Sequence, residues 1–423
     1  MKRSDFEIMA PVGSREALHA AINAGADAVY FGVEGLNMRA RSSANFTLAD
    51  LRDIASICSA QGVKTYLTVN TEIYDGDIDT LHAIVDAAAE SGISAIIAAD
   101  IAAILYARSR GVEVHISTQA NICNTEAVRF YAQWADTVVL ARELNLDQVS
   151  AIHRAIMEEP ITGPAGKPVA IEMFCHGALC MAVSGKCYMS LHEMNSSANR
   201  GACTQICRRA YTLTDAETGE QLTVDQKYIM SPKDLKTLGF VDRLAGAGVR
   251  VLKIEGRARG PEYVATAVRA YDEALRAVCD GTFDAALVAR LDEELNKIFN
   301  RGYWNGYYLG QRLGEWSGKY GSSATRVKRY VARALRYFPR LGVGEFRMEA
   351  GELNVGDEVI VTGPTTGALT FTVGEMHRDP RKGEETTATV CSTVVRGDTF
   401  SMPVPEKVRA SDRLYLWEPT DNK

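Results

Sequence analysis

The chain predicts an α/β fold: a (β/α)8 TIM-like barrel with a Cys-rich insertion between the seventh and eighth strands, plus a small C-terminal antiparallel β-barrel domain. Three observations support this. Eight short β-branched or aromatic runs alternate with amphipathic stretches over about 250 residues, the count and length of such a barrel. The interval between the last two runs, Cys175 to Val251, far exceeds an ordinary loop and helix. From about residue 325 the texture changes to short alternating runs divided by Gly-Pro, Gly-Asp and Asp-Pro. A doubly wound sheet is the competing architecture.

The runs, in order, are Phe6–Val12, Ala28–Val33, Val63–Asn70, Ala95–Asp100, Glu113–Gln119, Thr137–Glu143, Val169–Cys175 and Val251–Gly256. Each is bounded by Gly, Asp or Asn, as buried parallel strands are. The first helical stretch starts at Ser14, a suitable N-cap. After Gly256 come two or three helices to about Phe299, then an aromatic-glycine segment, Phe299 to Tyr308. The C-terminal runs are Gly342–Met348, Asp357–Val361, Ala368–Val373, Thr387–Val395 and Arg413–Trp417. The expected division is a catalytic barrel over residues 1–325, with the insertion at about 176–250, and a small β domain over 326–423.

The 423 residues carry a formal charge of −6, with 46% hydrophobic and 24% charged residues, which excludes a disordered or fibrous chain. Mild acidity means that nucleic acid must be met by a local basic patch. One exists at the domain boundary. Arg326, Lys328, Arg329, Arg333, Arg336 and Arg340 have no acidic residue between them and are interleaved with Tyr330, Tyr337 and Phe338. Phosphates need such cations and bases stack on such rings; a solvated strand face with core aromatics is the alternative. The first apolar run is too short for a signal peptide. The longest apolar stretch, Ile93 to Tyr106, is broken by Asp100 and too short for a membrane span. A soluble, cytoplasmic protein is expected, without a membrane partner.

Chemistry in such barrels sits at the C-terminal strand ends. There the sequence places Asn70, then Thr118 and Gln119, then Arg142 and Glu143, and finally Lys253, Glu255 and Arg257; Arg39 and Arg41 follow the second run. Singly, each reads equally as a loop residue or a rim salt bridge. Together, Arg39, Arg41, Asn70, Gln119, Arg142, Lys253 and Arg257 suit a carboxylate-bearing ligand. Glu143, Glu255 and His176 are the candidates for proton transfer, with a satisfied structural histidine as the alternative at 176.

Nine cysteines are present, an odd number that does not fit a secreted disulfide framework. Cys58, Cys123, Cys279 and Cys391 are scattered, whereas Cys175, Cys180, Cys187, Cys203 and Cys207 crowd together. The spacing Cys180-x6-Cys187-x15-Cys203-x3-Cys207 can close a zinc site or hold an iron–sulfur cluster. Only the last pair approaches a zinc knuckle. The wide gaps collect ligands from separate segments and suit a cluster better, with zinc and unligated thiols left open. Cys175 lies within a strand and reads as core. The insertion also holds a hairpin, Tyr211–Thr214 and Gln221–Ile229, around Asp215 to Gly219. No G-x-S-x-G, H-E-x-x-H, P-loop or dinucleotide fingerprint occurs.

The segment Glu172-Met173-Phe174-Cys175-His176-Gly177-Ala178-Leu179-Cys180, continuing through Cys187 to Ser190, resembles the signature of the peptidase U-thirty-two family. That family includes collagenase-like proteases and the tRNA and rRNA hydroxylation proteins. Ala10–Gly13, Gly25–Tyr30, Ser231–Leu235, Lys253–Arg257 and Asn300–Gly302 with Gly306–Tyr307 match the same pattern, so the resemblance covers most of the chain. It implies an oxygen-independent RNA hydroxylase with a 4Fe–4S cluster on Cys180, Cys187, Cys203 and Cys207. Prephenate is then the hydroxyl donor, tRNA the partner and 5-hydroxyuridine at the wobble position the product, with iron–sulfur assembly proteins as helpers. In some relatives a cluster cysteine follows the Asp-Leu pair after the hairpin; here Lys236 stands there. The alternatives are hydroxylation of ribosomal RNA cytidine, a peptidase, and a zinc-stabilised RNA-binding protein without catalysis.

Overall fold

The computed structural model describes residues 1–41, 45–183, 185–222, 228–380 and 387–420. Counting barrel strands only, the elements are β1 (Glu7–Pro11), β2 (Ala28–Phe31), β3 (Lys64–Val69), β4 (Ala95–Ala98), β5 (Glu113–Ile116), β6 (Thr137–Val139), β7 (Ala170–Gly177) and β8 (Val249–Ile254). They pair in parallel in that order, and β8 pairs with both β1 (Glu7 beside Val251) and β7 (Leu252 beside Met173). That closing pair makes a barrel and removes the doubly wound alternative.

Strand alternation sorts the side chains into two cores. Ile8, Val29, Leu67, Ile96, Val138 and Leu252 face the helices and belong to one large outer core. Met9, Ala28, Tyr30, Tyr66, Ala95, Ile97 and Val251 form a separate cluster inside the barrel. Each large apolar side chain so buried contributes about 2 kcal/mol relative to exposure. The helix α1 (Arg15–Asn23) starts as expected, with the Ser14 hydroxyl accepting from the Ala17 N–H at 3.2 Å. Among the described residues no helix is long and apolar enough to cross a membrane.

The insertion leaves the barrel at Gly177 and returns through a short strand, Asp234–Lys236, antiparallel to the end of β7. That strand is also paired in parallel with Tyr303–Trp304, so the aromatic-glycine segment ties the insertion to the barrel, which the sequence did not reveal. The hairpin pairs Leu213–Thr214 with Gln221–Leu222; residues 223–227 of its expected second arm lie outside the described residues. Gly177 has φ +100°, and a Cβ there would lie 2.3 Å from the Glu255 carbonyl oxygen and 2.7 Å from the Tyr263 hydroxyl. Gly177→Ala is therefore expected to destabilise the fold by more than ~2 kcal/mol, since strain and overpacking add. Denaturant unfolding of the variant tests this; an unchanged midpoint removes the steric argument.

The C-terminal region is an eight-stranded antiparallel sheet in the order Gly367–Thr372, Glu358–Gly363, Arg413–Pro419, Arg326–Phe338, Val343–Met348, Thr399–Pro403, Met376–Arg378 and Thr389–Cys391. Its longest strand, Arg326–Phe338, is the basic stripe, so the strand face given as the alternative for that segment is what forms. Val331, Phe346, Val361, Phe400 and Leu414 pack beneath it. Strand Gly367–Thr372 lies on α1; Gly367 approaches so closely that a Cβ would be 2.7 Å from the Ala20 nitrogen.

Candidate active site

The C-terminal ends of the barrel strands and the insertion enclose a cavity of about 210 Å³. Six of the seven expected ligand-binding residues line it: Arg39, Asn70, Gln119, Arg142, Lys253 and Arg257, with Glu255 among them. Strand position accounts for this. Lys253 shares its strand face with Val251 of the interior cluster, and Glu255 and Arg257 carry that face beyond the end of β8.

The charges are unequal. Arg39, Arg142, Arg208, Lys253, Arg257, Arg259 and Arg301 line the cavity, against a single carboxylate, Glu255. Glu255 accepts from Arg39 at 2.8 Å and from the Tyr30 hydroxyl at 3.2 Å. Burial pushes the Glu255 carboxyl up, but Arg39, then Arg142 and Arg257, outweigh it and hold it at about 2. It stays ionised at neutral pH, a fixed counter-charge and a weak base. Arg257 donates to Thr68 Oγ1 (2.9 Å) and Asn37 Oδ1 (3.0 Å), both neutral. Burial lowers its guanidinium to about 10, so it still carries charge at neutral pH. Arg142 stacks on the Phe174 ring at 3.6 Å and donates to the Ala178 carbonyl at 2.9 Å, while its buried Nε has no partner. Asn70 and Gln119 meet beside them, with Asn70 Nδ2 3.4 Å from Gln119 Oε1. Buried guanidinium groups bonded only to neutral groups make a seat for an anion.

Three expectations are corrected. His176 does not reach the cavity. It is 1% exposed, packed against the rings of Tyr263, Tyr271 and Tyr303, with neither ring nitrogen bonded. Burial, aided by the charge of Lys236, drops its imidazolium to about 3, so it is neutral and far from any ligand proton. Glu143 is exposed and lines a neighbouring cleft with Trp304, Tyr307 and Trp316. Arg41 is exposed on the loop after β2 and does not line the cavity. The sequence reading missed Arg208, Arg259 and Arg301. They lie beyond the strand ends, and of the three only Arg301 falls in a segment that matches the family pattern.

Cys180, Cys187, Cys203 and Cys207 all line the cavity, from the insertion side. Burial pushes the Cys207 thiol up; Arg208 opposes this, and the nearby Cys180, Cys203 and Cys187 add to it. Among the described residues no group of three His, Cys, Asp or Glu side chains is close enough to hold a single metal ion. Protein contacts hold the segment on the barrel. Arg200 bonds Asp77 at 2.9 Å and stacks on Tyr74, while Arg208 donates to the carbonyls of Leu179 and Pro232. Cys175 lies apart, buried in β7, its thiol pushed well up by burial and donating to the Lys253 carbonyl.

Five of the six cations of the basic stripe are ion-paired. Arg326 pairs with Glu358, Lys328 with Glu262, Arg329 with Glu418, Arg333 with Glu349 and Arg336 with Glu345. Each cation along the strand Arg326–Phe338 faces a carboxylate from elsewhere in the chain, two of them on neighbouring strands, so the run of positive charge in the sequence is not a run of free charge in space. An RNA phosphate here would have to displace a carboxylate.

The profile described as Peptidase family U32 matches residues 13–318. A protein named "Collagenase" from Porphyromonas gingivalis is 60% identical over 418 residues, 99% of each chain. The "tRNA hydroxylation protein P" of Escherichia coli is 27% identical over 462 aligned positions, covering 97% of this chain and 96% of the relative. The "23S rRNA 5-hydroxycytidine C2501 synthase" of Escherichia coli is 36% identical over 282 residues, 66% of this chain and 41% of that one. On the family match and these alignments, the chain belongs to peptidase family U32.

Proposed function

We propose that the protein is an RNA hydroxylase acting without oxygen, which forms 5-hydroxyuridine at the tRNA wobble position with prephenate as hydroxyl donor and a 4Fe–4S cluster on Cys180, Cys187, Cys203 and Cys207. The observation that carries this is the cavity itself, which half-buried Arg142, its Nε unpartnered, and buried Arg257 line together with four thiols. A dicarboxylate supplies the two anions that these guanidinium groups call for, bound bidentately. Asn70 and Gln119 offer amides to its hydroxyl group. Glu255 fixes Arg39, and the insertion forms one wall of the site.

The thiols fit the proposed cluster. Tetrahedral zinc requires all its sulfurs about 2.3 Å from one ion, a closeness that no three such side chains reach among the described residues, and four cysteine thiolates are the ligand set of a four-iron cluster. When bound, such a cluster supplies a Lewis-acidic, electron-accepting centre at that wall. The tRNA target is favoured over ribosomal RNA because the tRNA relative aligns along nearly the whole chain.

The P. gingivalis relative's name points instead to peptide hydrolysis. Seven histidines are present, yet none lines the cavity beside a thiol or hydroxyl. A cysteine or serine protease needs such a base within hydrogen-bond reach. The test is mass spectrometry of nucleosides from tRNA and ribosomal RNA of a deletion strain. Loss of 5-hydroxyuridine and its derivatives from tRNA is expected. Loss from ribosomal RNA alone reassigns the target, and unchanged nucleosides in both sink the reading.

A further inference from the structure

Beneath the cavity, the barrel interior holds four ionisable side chains in single file. Lys253 Nζ, at the cavity floor, lies 2.7 Å from Glu172 Oε1; Glu172 Oε2 lies 3.2 Å from His115 Nδ1; and His115 Nε2 lies 3.5 Å from Glu113 Oε1. Glu172 and His115 are sealed from solvent, whereas the Glu113 side chain is 45% exposed. Glu113 opens β5, and so sits at the end of the barrel opposite the cavity. Neighbouring interior positions are filled by Met9, Ala28, Ala95 and Val251, and apolar packing there avoids the several kcal/mol that each buried ion costs.

We propose that Lys253, Glu172, His115 and Glu113 form a proton path along the barrel axis, joining solvent at the far end to an anionic ligand in the cavity. The inference deepens the reading above and rests on the cavity being the reaction site. His115 suits the middle of the path because its two nitrogens face two different carboxylates. When Lys253 gives a proton to a ligand oxygen, the His115 Nδ1 proton passes through Glu172 to the Lys253 amine. A half-turn of the ring then presents the bare nitrogen to Glu113, which returns a proton taken from water. One proton enters for each one given up, and no electron moves.

The surroundings keep the path loaded. Burial pulls the His115 imidazolium down, but its bonds to Glu113 and Glu172, with the charge of Glu7 behind them, raise it to about 9. Tyr66 packs on the ring at 4.4 Å and donates to Glu7, which also holds Lys64. Lys64 and Arg108 face Glu113, and Tyr30 lies under Lys253 at 4.8 Å. At neutral pH the ring therefore carries the proton to be passed.

The test uses the whole chain and Glu113→Gln, a half-exposed position outside the cavity. In ligand-free protein labelled with 15N-histidine, exchange of the His115 ring protons with water is expected to slow about tenfold in the variant. Wobble hydroxylation is expected to slow by a similar factor, with prephenate affinity unchanged and the slowing greatest at high pH, where protons are scarce. Unchanged exchange overturns the path, and so does slowed exchange with unchanged turnover. A wild-type protein that forms no hydroxylated nucleoside sinks the RNA reading instead, and the exchange rates then decide alone whether the path exists.

Discussion

Serine in place of any one of Cys180, Cys187, Cys203 or Cys207 is expected to strip iron from protein purified without oxygen and to cut wobble hydroxylation by more than ~100-fold. A serine hydroxyl is harder and far less acidic than a thiol, so it is a poor ligand for iron–sulfur centres. Losing an outer-shell contact already costs about 10–100-fold at metal sites, and a direct ligand costs more. The variants should remain folded. The segment is pinned by Arg200 to Asp77 and by Arg208 to Leu179 and Pro232, and the barrel core does not depend on it. Cys175→Ala is the internal control: that thiol is buried in β7 against the Lys253 carbonyl and should leave iron and colour unchanged. Full iron content in all four serine variants would remove the cluster from the proposal.

The barrel was legible because its strands obey one rule: short apolar runs, each bounded by a turn former, alternate with amphipathic stretches. All eight expected runs overlap a strand of the closed sheet. The site was legible to the extent that strand ends fix it. Lys253, Glu255 and Arg257 follow from the register of β8, whereas Arg208 and Arg301 reach the cavity through tertiary placement of loops. His176 misled for a physical reason. The chain bends at Gly177, and the imidazole at the end of β7 turns into an aromatic box formed by distant residues, Tyr263, Tyr271 and Tyr303. The basic stripe misled because sequence shows cations along one strand but not the carboxylates that meet them from other elements, such as Glu345 and Glu418.

Glu172→Leu should destabilise the protein by about 3–5 kcal/mol, since it leaves the Lys253 ammonium and the His115 ring buried without their carboxylate. The loss should depend on pH in a defined direction. His115 is raised to about 9 in the folded protein, against roughly 6.5 unfolded. Its contribution is therefore complete below ~6.5 and disappears as pH climbs through 9. Glu172 is pushed up by burial but held below the usual carboxylate range by Lys253 and His115. Its contribution is present above ~4.3 and fades as pH falls. Urea midpoints for wild type and variant should accordingly lie furthest apart between about pH 5 and 6.5 and draw closer as pH climbs through 9, leaving the part of the gap that comes from Lys253. A gap that stays constant across that range would mean that His115 contributes nothing to it. Glu172→Leu combined with Lys253→Met should recover much of the stability, because a buried ion pair exchanged for apolar groups is often neutral or better.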